Sequence, residues 1–255
     1  PSYTWICSIS PGVMLGARPV LAESDPESLM LDPEDVRRKI TDKTRAILPV
    51  HIFGHPADMT AINALAAEHD LAVVEDCAQA FGADVNGGRV GSLGTTGCYS
   101  FYPTKVLGCY GDGGMCFTDD DRLADVILSL RVHGKGSHKY DNSRIGINGR
   151  LDTLQAAILL AKLEIFPDEI ERRQAIAGIY SEALAESGLQ VPTIPEGFKS
   201  ALGYVKLTLA RQLGLRYMPD LKFFYDESFD YGLRIDQVLK AVKAENEPDN
   251  TSSEK

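Results

Sequence analysis

Three successive segments constrain the fold most. Ala46 to Val50 reads as a buried strand, Asp58 to His69 as an amphipathic helix with Asp58 at its N-cap, and Leu71 to Glu75 as a second strand. Together they predict a βαβ unit, which commits the neighbouring chain to an α/β fold with a mostly parallel sheet. Gly97 to Phe101 and Met115 to Thr118 continue the strand pattern, separated by a turn containing Gly108, Gly111, Gly113 and Gly114. Asp119-Asp120-Asp121 places carboxylates at the start of a helix running to about His133, where they complement its dipole. Leu151 to about Glu186 is helical in composition, and Pro167 is expected to divide it in two. After Pro192 and Pro195 the character changes: Ser200 to Leu215 reads as a helix, Leu221 to Tyr225 as a strand and Ile235 to Ala244 as a helix, followed by a polar tail expected to be disordered.

Composition narrows the function classes. With 255 residues, 44% hydrophobic and 24% charged, the chain can build a large packed core, and a net charge of -10 disfavours broad attraction to nucleic acid or anionic lipid. Five cysteines, Cys7, Cys77, Cys98, Cys109 and Cys116, form no CxxC pair, which suits a reducing cytoplasm. No run approaches the roughly 18 apolar residues of a membrane span. The start, Pro1-Ser2-Tyr3, carries neither an initiator Met nor a signal-peptide pattern, and the chain is read as beginning mid-gene.

The residues that carry chemistry lie at strand ends. Leu71-Ala72-Val73-Val74-Glu75-Asp76 is a strand ending in an acid, and strand C-termini are where α/β sheets bind ligands, although an Asp there serves equally well to cap a turn. Downstream, Ser100-Phe101-Tyr102-Pro103-Thr104-Lys105 leads into Gly108-Cys109-Tyr110-Gly111-Asp112-Gly113-Gly114, placing a lysine in a glycine-rich loop. Most lysines are solvated surface charge, but one that is desolvated there becomes a nucleophile toward an aldehyde.

Four ordered stretches resemble one family. They are Pro1-Ser2-Tyr3-Thr4-Trp5, Val74-Glu75-Asp76-Cys77-Ala78-Gln79, Ser100 to Lys105 with Gly111-Asp112-Gly113-Gly114, and Gly146-Ile147-Asn148-Gly149-Arg150-Leu151-Asp152. Residues 1–197 are similar to the DegT-type sugar-nucleotide aminotransferases, fold type I enzymes dependent on pyridoxal 5'-phosphate. The resemblance implies that Lys105 is the Schiff-base lysine and the acid/base of the reaction, and that Asp76 pairs with the protonated pyridine nitrogen. It also implies that Gln79 contacts the ring hydroxyl, that Ser100 donates to the phosphate, and that Asn148 reaches the phosphate of a neighbouring subunit in a homodimer. Many relatives carry His where Tyr102 stands, and a packing role is expected for Tyr102. The implied reaction takes an amino group from a donor such as glutamate and delivers it to a keto-sugar nucleotide with ping-pong kinetics. Lys105 to Gly111 and Leu151 to Ala157 look closest to the branch that aminates 3-keto UDP-N-acetylglucuronic acid for lipopolysaccharide O-antigen biosynthesis.

Two departures shape the remaining expectations. Family members carry further residues ahead of this start, including a Gly-Thr phosphate loop, and a C-terminal small domain from which this chain departs after Pro192 to Gly197. Residues 198–247 instead resemble the C-terminal half of ribosome-binding factor A, a KH-like α-β-α fragment. Ala201-Leu202-Gly203, Leu213 to Leu221, Tyr225-Asp226-Glu227-Ser228 and Gly232-Leu233-Arg234-Ile235 carry that likeness, leaving 248–255 as the tail. The chain is therefore read as a truncated aminotransferase core joined near Phe198 to a ribosome-factor fragment. A 30S-binding assembly factor and a non-functional chimera are the competing readings.

Overall fold

The computed structural model describes residues 1–138, 140–186 and 194–201. In chain order these form α1 (Ser10–Met14), α2 (Pro33–Lys39), β1 (Ala46–Ile47), α3 (Met59–Glu68), β2 (Ala72–Asp76), β3 (Asp84–Val85), β4 (Gly88–Arg89), β5 (Thr96–Ser100), β6 (Gly114–Phe117), α4 (Asp121–Arg131), α5 (Thr153–Glu186) and β7 (Phe198–Lys199). The main sheet has the order β1-β2-β5-β6. Its first three strands are parallel and β6 runs antiparallel to β5, so the sheet is mixed and mostly parallel.

The predicted βαβ unit forms because each boundary has a local cause. The Asp58 carboxylate accepts the Ala61 N–H at 3.0 Å and starts α3, whose Met59, Ile62, Leu65 and Ala66 face the core. Val73 lies in the same apolar cluster. Asp120 caps α4 in the same way, accepting from the N–H groups of Arg122 and Leu123.

The long helix departs from expectation. α5 runs unbroken from Thr153 to Glu186 through Pro167, which was expected to split it. A proline removes one N–H from the ladder, but Leu159, Phe166 and Ile170 lie on one face and are all buried in the second apolar cluster. Tertiary packing on both sides of Pro167 keeps the helix continuous. Ser200 and Ala201, expected to open a helix, are irregular: the Ala201 N–H and the Ser200 hydroxyl both donate to the Gly54 carbonyl, and Phe198–Lys199 pairs with β3. The helix, strand and helix expected between 202 and 244, and the tail, lie outside the described residues.

Asp35 ties the start of the fold together. Its buried carboxylate accepts from the Glu23 N–H, the Lys39 ammonium and the Arg38 guanidinium at 2.7, 2.7 and 3.0 Å. These partners, Lys39 first, hold its pKa down to about 2 from an ordinary 3.8. A depressed carboxylate contributes stability above its unfolded pKa and loses it as pH falls through the folded value. Urea midpoints of wild type and Asp35→Asn are therefore expected to differ at neutral pH and to converge as pH drops from 4 toward about 2.

Candidate active site

The C-terminal edge of the parallel strands gathers the chemistry. Asp76 is the last residue of β2, bridged to Val50 on one side and opposite Cys98 of β5 on the other. Because β2 and β5 are parallel, the residues just beyond β5 emerge at the edge where Asp76 sits. Lys105 lies there, its backbone N–H closing a turn onto the Tyr102 carbonyl at 2.9 Å.

The lysine loop is fastened from several directions. The Phe101 N–H donates to Gly113, and the Cys109 N–H donates to Phe101, each at 2.8 Å. From α5, the Gln155 side-chain oxygen accepts the Tyr110 N–H at 2.8 Å and the Lys162 ammonium donates to the Gly108 carbonyl at 2.6 Å. Val106 and Leu107 are buried beside Lys105, which is half-buried. Its ammonium makes no hydrogen bond or ion pair among the described residues, leaving the amine unengaged on a loop whose main chain is fastened. Sequence reasoning missed Gln155 and Lys162, since nothing local connects a helical Gln or Lys to a loop so far back in the chain.

Asp76 has both oxygens in use. One accepts the Ala78 N–H at 3.1 Å, and the other accepts the Ser8 hydroxyl at 2.6 Å. Ser8 in turn shares a hydrogen bond with Thr4 at 2.7 Å. Ser8, another residue missed in sequence, is thus an O–H donor on the carboxylate oxygen that is free of backbone contact.

The other predicted site residues divide. Ser100 ends β5 on the same face as Cys98 and accepts the Tyr102 N–H at 3.3 Å. Gln79 is half-buried three residues beyond Asp76, and its side chain has no hydrogen-bond partner among the described residues. Asn148 is exposed on a separate strap, bridged to Val132 at the end of α4 and accepting from Arg150 at 3.1 Å. The structure thus groups Asp76, Gln79, Ser100 and Lys105 at one edge and sets Asn148 on another segment. Tyr102, expected to pack, is 50% exposed because the turn carries it outward while Phe101 and Val106 point in.

Beneath this edge lies a buried polar network. Glu75 and His51 are fully buried. The Ala57 N–H donates to His51 Nδ1 at 3.0 Å, so Nε2 carries the ring proton and donates to Glu75 at 3.0 Å. The two Glu75 oxygens also accept the N–H groups of Gly91, Leu93 and Gly94 at 2.7, 2.8 and 2.6 Å. Burial opposes the charged form, but His51, Gly91 and Gly94 outweigh it and hold the carboxyl below the ordinary glutamate range. Cys77 lies near enough to complete a three-ligand cluster with this pair, yet both His51 nitrogens are already committed to hydrogen bonds. The network clamps the loop of Gly91 to Gly94 onto the strand that ends in Asp76. Gly97 permits the clamp, since a Cβ there would stand 2.2 Å from the Gly91 carbonyl oxygen.

Comparison with known proteins places this architecture. The DegT/DnrJ/EryC1/StrS aminotransferase family matches residues 1–214. The chain belongs to that family. The UDP-2-acetamido-2-deoxy-3-oxo-D-glucuronate aminotransferase of Pseudomonas aeruginosa is 47% identical over 194 residues, 76% of this chain and 54% of the relative. The dTDP-3-amino-3,6-dideoxy-alpha-D-galactopyranose transaminase of Aneurinibacillus thermoaerophilus is 47% identical over 197 residues, 77% of this chain and 54% of the relative. Among solved structures, a DegT DnrJ EryC1 StrS aminotransferase from Brucella abortus superposes with a TM-score of 0.75 at 41% identity, covering 84% of this chain and 61% of that one. S. venezuelae DesV, solved with a ketimine intermediate, gives a TM-score of 0.75 at 42% identity, covering 80% and 55%. The chain spans about half the length of the curated relatives it matches. As a DegT-family match runs on to residue 214, past the junction expected near Phe198, the ribosome-factor reading of 198–247 gains no support from it. The residues from 202 on that carry most of that reading lie outside the described part of the chain. No helix among the described residues is long and apolar enough to cross a membrane.

Proposed function

We propose that this chain forms the cofactor-holding part of a pyridoxal 5'-phosphate-dependent aminotransferase acting on a keto-sugar nucleotide. The observation that carries the reading is the pairing of β2 with β5, which sets a carboxylate and an unengaged amine at one sheet edge. The donor set suits the cofactor: Asp76 accepts from a protonated pyridine nitrogen, and its Ser8 contact is already a hydrogen bond of that kind. Ser100 offers a hydroxyl to the phosphate, Gln79 an amide to the ring hydroxyl, and Asn148 an amide to the phosphate of a second copy.

When bound, pyridoxal phosphate supplies an electron sink that the side chains lack. The protein's part is to orient and to move protons. Lys105 holds the cofactor through Nζ and then serves at that atom as the base and acid that shifts the substrate proton. Asp76 would keep the ring nitrogen protonated, and Gln155 and Lys162 hold the main chain of the loop that carries Lys105. The two named relatives act on UDP- and dTDP-linked sugars, which supports a sugar nucleotide as acceptor. The Pseudomonas relative favours a UDP-linked 3-keto sugar acid as acceptor, and the motif resemblance supports glutamate as donor and an O-antigen pathway. We place the enzyme in the cytoplasm as a homodimer.

Reductive trapping tests the proposal. Incubation with pyridoxal phosphate followed by borohydride is expected to attach the pyridoxyl group to the peptide containing Lys105, read by mass spectrometry. Label on another lysine, or none, would overturn it.

A further inference from the structure

The β5–β6 ladder brings two cysteines side by side. Cys98 and Cys116 are direct Cα partners in this antiparallel pair. Their place in the ladder follows from one hydrogen bond just beyond it: the Phe101 N–H donates to the Gly113 carbonyl at 2.8 Å. Phe101 and Gly113 therefore form a hydrogen-bonded pair in the same register, and the type alternates along the strands. Tyr99 and Met115 are hydrogen-bonded partners, and Cys98 and Cys116 occupy a non-hydrogen-bonded position, where Cα atoms approach to about 4.5 Å. That separation lies within the span of about 4.4–6.8 Å that a disulfide needs.

The side chains agree with the backbone. The two sulfur atoms lie 3.9 Å apart, within thiol hydrogen-bond range. Tyr99 and Phe117 pack edge to face at 5.4 Å, so they take the opposite face of the sheet and leave the cysteines theirs. Cys116 is exposed and Cys98 half-buried, which makes Cys116 the thiol a small oxidant meets first. The hydrogen bond shared by the two sulfurs stabilises a thiolate on one of them, and the more exposed Cys116 is the one held below the ordinary thiol range. Cys77 and Cys109 are buried, and Cys7 lies on a different segment.

We propose that Cys98 and Cys116 form a redox-active thiol pair that a small peroxide closes into a cross-strand disulfide. The Cys116 thiolate attacks a peroxide oxygen, the O–O bond breaks, and a sulfenic acid forms with release of water. The Cys98 sulfur then attacks Cys116, an S–S bond forms, and the hydroxyl leaves as a second water. Two thiols give up two electrons and two protons in total, and one hydrogen peroxide is reduced to two waters. Cys98 is also the β5 partner of Asp76, so the bond fastens β6 to the strand beside the candidate active site. In a cytosolic protein such a bond is transient and reports on oxidant.

Peptide mapping of the full chain tests this. After brief exposure to hydrogen peroxide and alkylation of the remaining thiols, a peptide pair joined through Cys98 and Cys116 is expected, 2 Da lighter than the two free peptides and released by dithiothreitol. Cys116→Ser is expected to abolish the pair and leave Cys98 alkylated. Cys98→Ser, an independent variant, is expected to leave Cys116 oxidised no further than a sulfenic acid that dimedone traps. Alkylation of both residues in the treated wild type, or linkage of Cys116 to Cys7, would overturn the proposal.

Discussion

Glu75→Ala is expected to destabilise the protein by about 3–5 kcal/mol, the range for removing one partner from a buried charged network. Among the described residues its carboxylate is the sole acceptor for the N–H groups of Gly91, Leu93 and Gly94, and it also accepts the hydrogen bond from His51 Nε2. Truncation strands these donors in the interior, each at a desolvation cost of about 1–3 kcal/mol that local relaxation only partly recovers. Glu75→Gln retains an acceptor oxygen but turns an amide NH2 toward like donors, and is expected to fall between alanine and wild type. Because the folded pKa is depressed, the carboxylate's contribution is present above the ordinary glutamate range and fades as pH falls through the lower folded value. Urea midpoints followed by circular dichroism check both points, and an unchanged midpoint for Glu75→Ala would contradict the assigned role.

Asp76→Asn is expected to weaken pyridoxal phosphate binding roughly ten- to hundred-fold. A hydrogen bond to a charged group contributes about 1.5–3 kcal/mol, and the amide loses the charge that favours a protonated ring nitrogen. Asparagine keeps an oxygen able to accept from Ser8 or Ala78, so the urea midpoint should stay close to wild type. That separates this residue from its neighbour Glu75, whose loss is felt in the fold first. Absorbance titration with pyridoxal phosphate measures the change, and an affinity equal to wild type would remove Asp76 from the ring nitrogen.

What the sequence displayed was what local chemistry encodes. Asp58 and Asp120 announce their helices because a cap acts on N–H groups two or three residues away. The apolar runs at β1 and β2 and the motif around Lys105 were legible for similar reasons. Pairings across the chain were not. That Ser8 meets Asp76, or that Gln155 and Lys162 hold the lysine loop, depends on segments 68, 45 and 54 positions apart. Glu75 read only as a strand end and His51 drew no reading, since the loop that Glu75 holds comes later in the chain. Pro167 misled because its propensity is a local penalty, whereas the burial of Leu159, Phe166 and Ile170 acts along the whole helix. Tyr102 misled in the opposite direction, an aromatic ring that the turn exposes to solvent.

The double duty of α5 couples distant parts of the molecule. The helix that anchors Leu159, Phe166 and Ile170 also grips the main chain on the far side of Lys105, through an amide and an ammonium. It works as a strut between interior volume and the position of one amine. Shaving atoms from Phe166 would let the strut settle by fractions of an ångström, and reactivity at Nζ would register that settling well before the protein came apart.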